Sequence, residues 1–255
     1  MTRTRLIALT LAVALAVFAP AALGSTPPHA RTFGGTPTVG ALFAGPLSSH
    51  FCTASVVRSP RGDVLLTAAH CVTGTGVGLQ FAPGFHDGVS PYGRFNVTAV
   101  YVDPAWVTRQ DPRRDFAFLI VAPRTIGGHR VQVEQLTGAN ALGTRPRPGR
   151  RVTIPAYPAG ADNDPITCTV RAYYDGVYPA FDCTPYPDGT SGAPWIVQTR
   201  HGRTVVGVIG GLHQGGCFPY TSYSAPFGAA VRRAYARAIE RATPDVSPAP
   251  GPDGC

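Results

Sequence analysis

Three short patterns in the chain carry residue types suited to acyl transfer, in the order histidine, aspartate, serine. Residues 65–71 read Leu-Leu-Thr-Ala-Ala-His-Cys, a strand-like run that ends in small residues and His70. Asp115 opens a second apolar run. Ser191 lies in residues 188–195, which read Asp-Gly-Thr-Ser-Gly-Ala-Pro-Trp. A lone serine in such a turn is usually structural, so the prediction of chemistry depends on the three patterns occurring together.

Each residue type answers a separate need of the reaction. A serine hydroxyl is a poor nucleophile, so an imidazole must take its proton during attack. The imidazole needs an anion at its other nitrogen, which holds the tautomer and stabilises the imidazolium. The oxyanion needs converging backbone N–H groups, and glycines allow the chain to curl in that way. We predict Ser191 as nucleophile, His70 as general base and Asp115 as its partner, with the N–H groups of Gly189 and Ser191 as oxyanion hole.

Two other aspartates are alternative third members of this set. Asp103 and Asp111 each precede a proline, which is typical of turns. Asp115 alone leads into an apolar strand, and it is therefore the preferred partner of His70.

Two of these segments resemble the signatures of the trypsin-like (chymotrypsin-fold) serine peptidase family. They are Thr-Ala-Ala-His-Cys, which ends at Cys71, and Gly-x-Ser-Gly-x-Pro, which begins at Gly189. The order of the three catalytic residue types is also that of the family, and the resemblance extends over about residues 39–227. It implies two six-stranded antiparallel β-barrels with the active site between them, polypeptide substrates, and neither a cofactor nor a metal.

The chain departs from trypsin in two places. Trypsin has an aspartate directly before the serine, whereas this chain has Thr190. Pro185 lies six residues before Ser191, where the acidic floor of the trypsin-like pocket would be. The Gly-Thr-Ser-Gly-Ala-Pro version is nearer to the bacterial secreted branch that includes the glutamyl endopeptidases.

The second wall of the predicted substrate pocket is the glycine-rich segment 209–216, with Gly210, Gly211 and His213. Its end resembles an Ile-His-Trp-Gly-Gly stretch of the staphylococcal type of glutamyl endopeptidase. The imidazole of His213 could bind a substrate carboxylate; the alternative is that it only caps a turn. With no acid at the position of Pro185, we expect cleavage after acidic or small uncharged residues rather than Arg or Lys.

Short apolar strands separated by turn residues make up most of the chain, which favours an all-β sandwich or barrel. The predicted strands cover residues 39–43, 54–57, 63–67, 95–102, 116–121, 151–156, 168–173, 193–198 and 204–209. Helical periodicity is confined to residues 229–242, where Val231, Tyr235, Ala238 and Ile239 share one face.

The two ends of the chain are expected to lie outside the catalytic domain. Residues 1–24 combine arginines, a short apolar run and small residues, which predicts a signal peptide and a secreted protein. A membrane anchor is the alternative, but the run is too short for a span. Residues 25–37 are then a leader or short pro-segment, and 243–255 a Pro-rich tail. The peptidase domain is 38–242, with barrels at about 38–125 and 130–227 and a helix at 229–242.

Six cysteines follow the predicted signal peptide, which suggests three disulfides in an oxidising compartment. The sequence contains no Cys-x-x-Cys pair of the kind that indicates a structural zinc site. The family resemblance implies Cys52–Cys71. A short closure of about 15 residues favours Cys168–Cys183, and elimination leaves Cys217–Cys255. The rival pairing, also implied by the family, is Cys183–Cys217, which leaves Cys168 with Cys255 or both free.

Charge and composition argue against a nucleic-acid partner. The net charge is +8, and all 22 basic residues are arginines, a bias typical of GC-rich bacterial genomes. The arginines are scattered rather than gathered on a face with stacking aromatics. We expect a monomer that binds no nucleic acid and, after signal removal, no membrane.

Two rival functions use the same residues. A non-catalytic binding homologue would usually lack a member of the triad, and none is missing here. A lipase-type esterase would read Gly-x-Ser-x-Gly with the histidine last, whereas Ala193 lies two residues after Ser191 and His70 comes first. The sequence therefore favours a secreted serine endopeptidase.

Overall fold

A computed structural model of the protein describes residues 26–45, 49–161 and 164–255. The predicted signal peptide, residues 1–24, lies outside the described residues. Within the described part, no helix has the length and the apolar character that crossing a membrane requires.

The described residues form seventeen short strands and three helices, connected by turns. The first part of the chain contains β1 (Arg31–Thr32), β2 (Val39–Phe43), β3 (His50–Val57), β4 (Val64–Thr67), β5 (Gln80–Pro83), β6 (Phe95–Val102), α1 (Pro104–Arg109) and β7 (Ala117–Val121). The connecting region contains β8 (Arg124–Ile126), β9 (His129–Val131) and α2 (Val133–Thr137). The remainder contains β10 (Ala141–Leu142), β11 (Arg151–Ala156), β12 (Ile166–Arg171), β13 (Tyr173–Asp175), β14 (Tyr178–Asp182), β15 (Pro194–Thr199), β16 (Gly202–Val208), β17 (Thr221–Tyr223) and α3 (Ala229–Glu240).

The N-terminal half is a closed barrel with strand order β2-β3-β4-β7-β6-β5. Successive side chains of a strand point to opposite faces, and here both faces are buried. Leu65 of β4 packs into one apolar cluster, whereas its neighbour Leu66 packs into another that includes α3. This double burial explains why β2, β4 and β7 are continuous apolar runs in the sequence rather than alternating ones.

The C-terminal half differs from the predicted second six-stranded antiparallel barrel. Among the described residues it consists of an open six-stranded sheet, β1-β12-β11-β15-β16-β10, and a three-stranded sheet, β13-β14-β17. The open sheet ends on both sides in strands of only two residues, and one of these, β10, pairs parallel with β16. Such short edges offer too few backbone groups to close the sheet on itself. Among the described residues, the fold is therefore mostly β, with one closed barrel in the first half and an open sheet in the second.

The N-terminal segment joins this second sheet. Arg31 and Thr32 of β1 pair with β12, and the N–H of Ala30 donates to the carbonyl of Thr184 at 2.7 Å. The segment predicted as a leader, residues 25–37, thus has defined contacts from Pro28 onward, and its removal stays a prediction.

The predicted C-terminal helix is confirmed as α3, which ends two residues earlier than the periodicity indicated. Val231 and Ala238 are buried, while Tyr235 and Ile239 pack partly buried against the same apolar cluster. Arg241 ends the helix in a left-handed conformation, and its guanidinium binds both carboxylate oxygens of Asp63.

Three disulfides are present, with the pairings Cys52–Cys71, Cys168–Cys183 and Cys217–Cys255, and the rival pairing of Cys183 with Cys217 does not occur. The bond between Cys168 and Cys183 spans 15 residues, and a closure of that size stabilises a fold by roughly 3 kcal/mol. The bond between Cys217 and Cys255 spans 38 residues and attaches the last residue of the chain to the second half.

Candidate active site

His70 lies in a one-turn 3-10 segment, Ala69–Cys71, directly after β4. The disulfide from Cys71 to Cys52 ties this turn to β3. Ala68 and Ala69 are fully buried, and the Cβ of Ala68 packs close to Gly210, so larger side chains would push the turn outward. The His70 side chain is 9% exposed and lines a cleft.

Asp115 is fully buried and follows the short turn Pro112–Arg114. Its Oδ2 accepts hydrogen bonds from Nδ1 of His70 at 2.8 Å and from the N–H of Gly211 at 2.8 Å. Its Oδ1 accepts from the backbone N–H of His70 at 3.0 Å. Three donors compensate the loss of hydration of a buried carboxylate. Because the carboxylate only accepts, Nδ1 of His70 carries the proton, and Nε2 is left as the basic nitrogen.

Ser191 lies in a tight turn that hydrogen bonds from Thr53 of β3 stabilise. The N–H of Thr53 donates to the carbonyl of Ser191 at 2.8 Å, and the Thr53 hydroxyl donates to the carbonyl of Gly189 at 3.0 Å. Gly192 has φ +80°, and a Cβ there would lie 2.2 Å from the Thr53 carbonyl oxygen. The glycine after Ser191 is therefore required by the close approach of two chain segments.

The N–H groups of Gly189 and Ser191 are available to a ligand. Within the described part of the chain neither donates a hydrogen bond, whereas the N–H groups of Thr190 and Gly192 bond to Pro187 and Ile209. Gly189 has φ +89°, a conformation in which a Cβ would overlap the backbone of Ala159. This turn can present two converging donors to an oxyanion.

The cleft that contains His70 and Ser191 has a volume of about 280 Å³. The barrel contributes Phe51, Cys52 and His70, while the second half contributes residues 186–191, Ile209, residues 213–216, Phe218, Thr221 and Ser222. Asp253, near the C-terminus, also lines it. The cleft thus lies between the two halves, as the family resemblance implies.

One of the four residues predicted for the substrate pocket lines this cleft, namely His213; the other three do not. Gly210 lies behind it, because a Cβ at Gly210 would be 3.0 Å from Oδ2 of the buried Asp115. Gly211 has φ +85° and donates to the same carboxylate. Both glycines are thus required for the close packing and hydrogen bonding around Asp115. Pro185 is exposed and lies outside the cleft, whereas the next residue, Tyr186, lines the cleft wall.

Tyr186 is a residue that the sequence analysis missed. Its ring packs edge-on against Phe181, and its hydroxyl donates to the carbonyl of Ile154 at 2.5 Å. Burial raises the pKa of the phenol above its usual value. The side chain therefore stays neutral and forms a rigid wall of the cleft.

The two alternative aspartates have structural roles. Asp103 caps α1 by accepting from the N–H of Ala105 at 2.9 Å. Asp111 caps the next turn and accepts from the backbone and guanidinium of Arg113, each at 3.0 Å. Burial works against ionisation of Asp111, but the hydrogen bonds from Arg113 outweigh it and hold its pKa below the usual range. Neither carboxylate contacts His70.

Two histidines lie next to disulfides. His70 is close to Cys52 and Cys71, and His213 is close to Cys217 and Cys255. The ligand that a metal needs from cysteine is a thiolate, and all four sulfurs are bonded in disulfides. The oxidised protein therefore has no metal centre in these two groups.

Comparisons with known proteins agree with this geometry. Among solved structures, the chain is similar to the protease Anisep from Arthrobacter nicotinovorans, with 21% identity, a TM-score of 0.70 and coverage of 83% of this chain and 99% of that one. It is also similar to the thermostable serine protease AL20 from an extremophilic microorganism, with 25% identity, a TM-score of 0.66 and coverage of 80% and 98%. A Glu endopeptidase in complex with MPD is 16% identical, with a TM-score of 0.66 and coverage of 86% and 100%.

No curated protein sequence matches the chain. The family model of the trypsin-like peptidase domain matches residues 52–208. This match covers the segments of His70, Asp115 and Ser191 and more than half of the chain, so the protein belongs to the trypsin-like peptidase family.

Proposed function

We propose that this protein is a secreted serine endopeptidase that cleaves peptide bonds through an acyl-enzyme on Ser191. The observation that carries the proposal is the 2.8 Å hydrogen bond between the buried Asp115 and His70, a histidine that lines the same cleft as Ser191. Three disulfides support an oxidising, extracellular location.

In the proposed reaction the same groups act in two stages, the formation of the acyl-enzyme and its hydrolysis. Nε2 of His70 takes the proton of the Ser191 hydroxyl as its oxygen bonds to the scissile carbonyl carbon. The N–H groups of Gly189 and Ser191 stabilise the oxyanion, and Asp115 stabilises the imidazolium that forms. His70 then gives its proton to the leaving amine, and the carbon–nitrogen bond breaks. Water, activated by His70, hydrolyses the ester and releases Ser191.

Covalent labelling tests this proposal directly. A fluorophosphonate is expected to react with Ser191 alone, because Ser191 shares the cleft with His70 and lies in the turn proposed as the oxyanion hole. Peptide mapping by mass spectrometry would identify the modified residue. The His70→Ala variant is the control, and its labelling should be lost. Labelling at another serine, or equal labelling of the His70→Ala protein, would contradict the proposal.

The cleft also supports a proposal about specificity. Among the described residues no arginine lines it, and its charged lining residues besides the histidines are Asp188 and Asp253. Nδ1 of His213 donates to the carbonyl of Asp253 at 3.1 Å. Nε2 of the neutral ring is therefore an acceptor, and only the protonated ring can donate to a substrate carboxylate. We propose cleavage after small uncharged residues, and after acidic residues only through a contact with the His213 ring, because the two aspartates of the lining would repel a substrate carboxylate.

Profiling of cleavage sites on a mixed peptide library is the test of this specificity. We expect small uncharged residues to dominate the cleaved position, with a smaller share of acidic residues that depends on the His213 ring. In the His213→Ala variant the acidic share should fall while cleavage after small residues persists. A profile dominated by Arg or Lys would refute the proposal.

A further inference from the structure

The last residues of the chain, Thr243–Cys255, form a C-terminal strap that is first anchored on the barrel. Arg237 of α3 forms an ion pair with Asp245 at 2.8 Å. Ser247 and Gly74 then exchange two backbone hydrogen bonds, each 2.8 Å long. The hydroxyl of Ser247, itself buried, accepts from the indole N–H of Trp106 at 3.3 Å. The first part of the strap is thus fixed to the N-terminal half.

The strap then passes to the second half through Gly251. Gln110, at the end of α1, donates to the carbonyl of Ala249 at 2.7 Å and accepts from the N–H of Gly251 at 2.6 Å. The carbonyl of Gly251 accepts from the side chain of Gln214 at 2.6 Å. One residue of the strap therefore bonds to side chains from both halves of the molecule.

The end of the strap reaches the substrate cleft. The carbonyl of Asp253 accepts from Nδ1 of His213, and Asp253 itself lines the cleft together with His70 and Ser191. The disulfide between Cys217 and Cys255 then fastens the chain end beside the same turn. The strap thus supplies one residue of the cleft wall, Asp253, and a hydrogen-bond acceptor for another, His213.

The turn that the strap contacts has a strained backbone. His213 and Gln214 are consecutive non-glycine residues with φ of 51° and 49°, in the left-handed region. Such conformations cost energy and persist where the surroundings fix them. Both side chains bond to strap carbonyls, at Asp253 and Gly251. These bonds fix the orientation of two side chains that line the cleft.

We propose that the C-terminal strap is a positioning element for substrate recognition, which holds His213 and Gln214 in place for binding an extended polypeptide. The inference rests on the proposed function in that the cleft is taken as the site where the polypeptide binds. The strap forms no hydrogen bond with the Asp115–His70 pair in the described part of the chain, so its removal should weaken substrate binding more than it slows the chemistry.

The test compares binding and chemistry in a shortened protein. Residues 249–255 are deleted together with Cys217→Ser, which avoids a free thiol. In the Ser191→Ala background, affinity for fluorescein-labelled casein is expected to fall about tenfold. In the active background, KM for casein should rise about tenfold, while the rate of fluorophosphonate labelling stays within about twofold of the parent. Thermal melting of both proteins verifies folding.

Two point variants keep the test informative if the shortened protein fails to fold. Gln110→Ala removes both bonds from α1 to the strap and should weaken casein binding by about threefold. Val246→Ala changes an exposed strap residue that lies outside the cleft, so casein affinity should change by less than about twofold.

Unchanged casein affinity in the shortened protein, or in Gln110→Ala if the former does not fold, would overturn the inference. So would a labelling rate that falls as far as the affinity, because the strap would then support the catalytic geometry itself. If the parent protein is neither labelled nor able to cleave casein, the proposed function fails. The binding measurement in the Ser191→Ala background still decides the role of the strap in that case.

Discussion

Replacing Ser191 with alanine is expected to lower kcat on a peptide substrate by about 10⁴-fold or more. The variant removes the nucleophilic oxygen and leaves His70 without a proton to take. The turn itself should persist, because Thr53 holds it through the backbone carbonyls of Ser191 and Gly189 rather than through the serine hydroxyl. The measurement is kcat at saturating substrate, with thermal melting to verify that the fold is kept.

The matched control is Ser222→Ala, since Ser222 is a second serine that lines the same cleft. It has no hydrogen bond to a histidine or carboxylate among the described residues, so kcat should change by less than about threefold. A Ser191→Ala protein that retains more than about a tenth of the parent activity would remove Ser191 from the mechanism.

Asp115→Asn is expected to reduce kcat by about 10³- to 10⁴-fold. The amide nitrogen of asparagine cannot accept the hydrogen bond from Nδ1 of His70, so the ring is driven to the tautomer with its proton on Nε2. In that form the ring cannot take the proton of Ser191. The N–H of Gly211 also loses its acceptor, and a buried unsatisfied donor costs about 1–3 kcal/mol of stability. The loss of stability and the loss of rate are measured separately, by melting and by kcat.

Asp111→Asn provides the matched control for this prediction. Asp111 is a buried carboxylate of the same segment, but its partners are Arg109 and Arg113 rather than the histidine. Its replacement should lower the melting temperature and leave kcat within about threefold of the parent. If Asp111→Asn lost more activity than Asp115→Asn, the assignment of the third catalytic residue would be wrong.

The strand pattern and the helix were largely readable from the sequence. β2, β6 and β11 have the predicted bounds, and α3 lies within the predicted range. These elements depend on the spacing of apolar residues within a short window, which is a local property. The same holds for the turn glycines at Gly189 and Gly192, whose need for positive φ accompanies the motif around Ser191.

Residue types and the family resemblance predicted the contact between His70 and Asp115, which the structure shows at 2.8 Å. The three disulfides also match the predicted pairings. The predicted closure of the second barrel was not confirmed, because the corresponding sheet is open among the described residues. Whether a sheet closes depends on the length and direction of its edge strands, and β1 and β10 are both too short to be recognised from their residues.

The sequence by itself determined the fold class and the family, and it supplied the residues that we propose for acyl transfer, because each follows from a local run or a short motif. Only the tertiary structure decided what surrounds them. It assigned Gly210 and Gly211 to the carboxylate of Asp115, and it brought Asp253 to the cleft from far along the chain. These contacts join segments widely separated in sequence, and no periodicity or motif within a single segment encodes which distant segment it will meet.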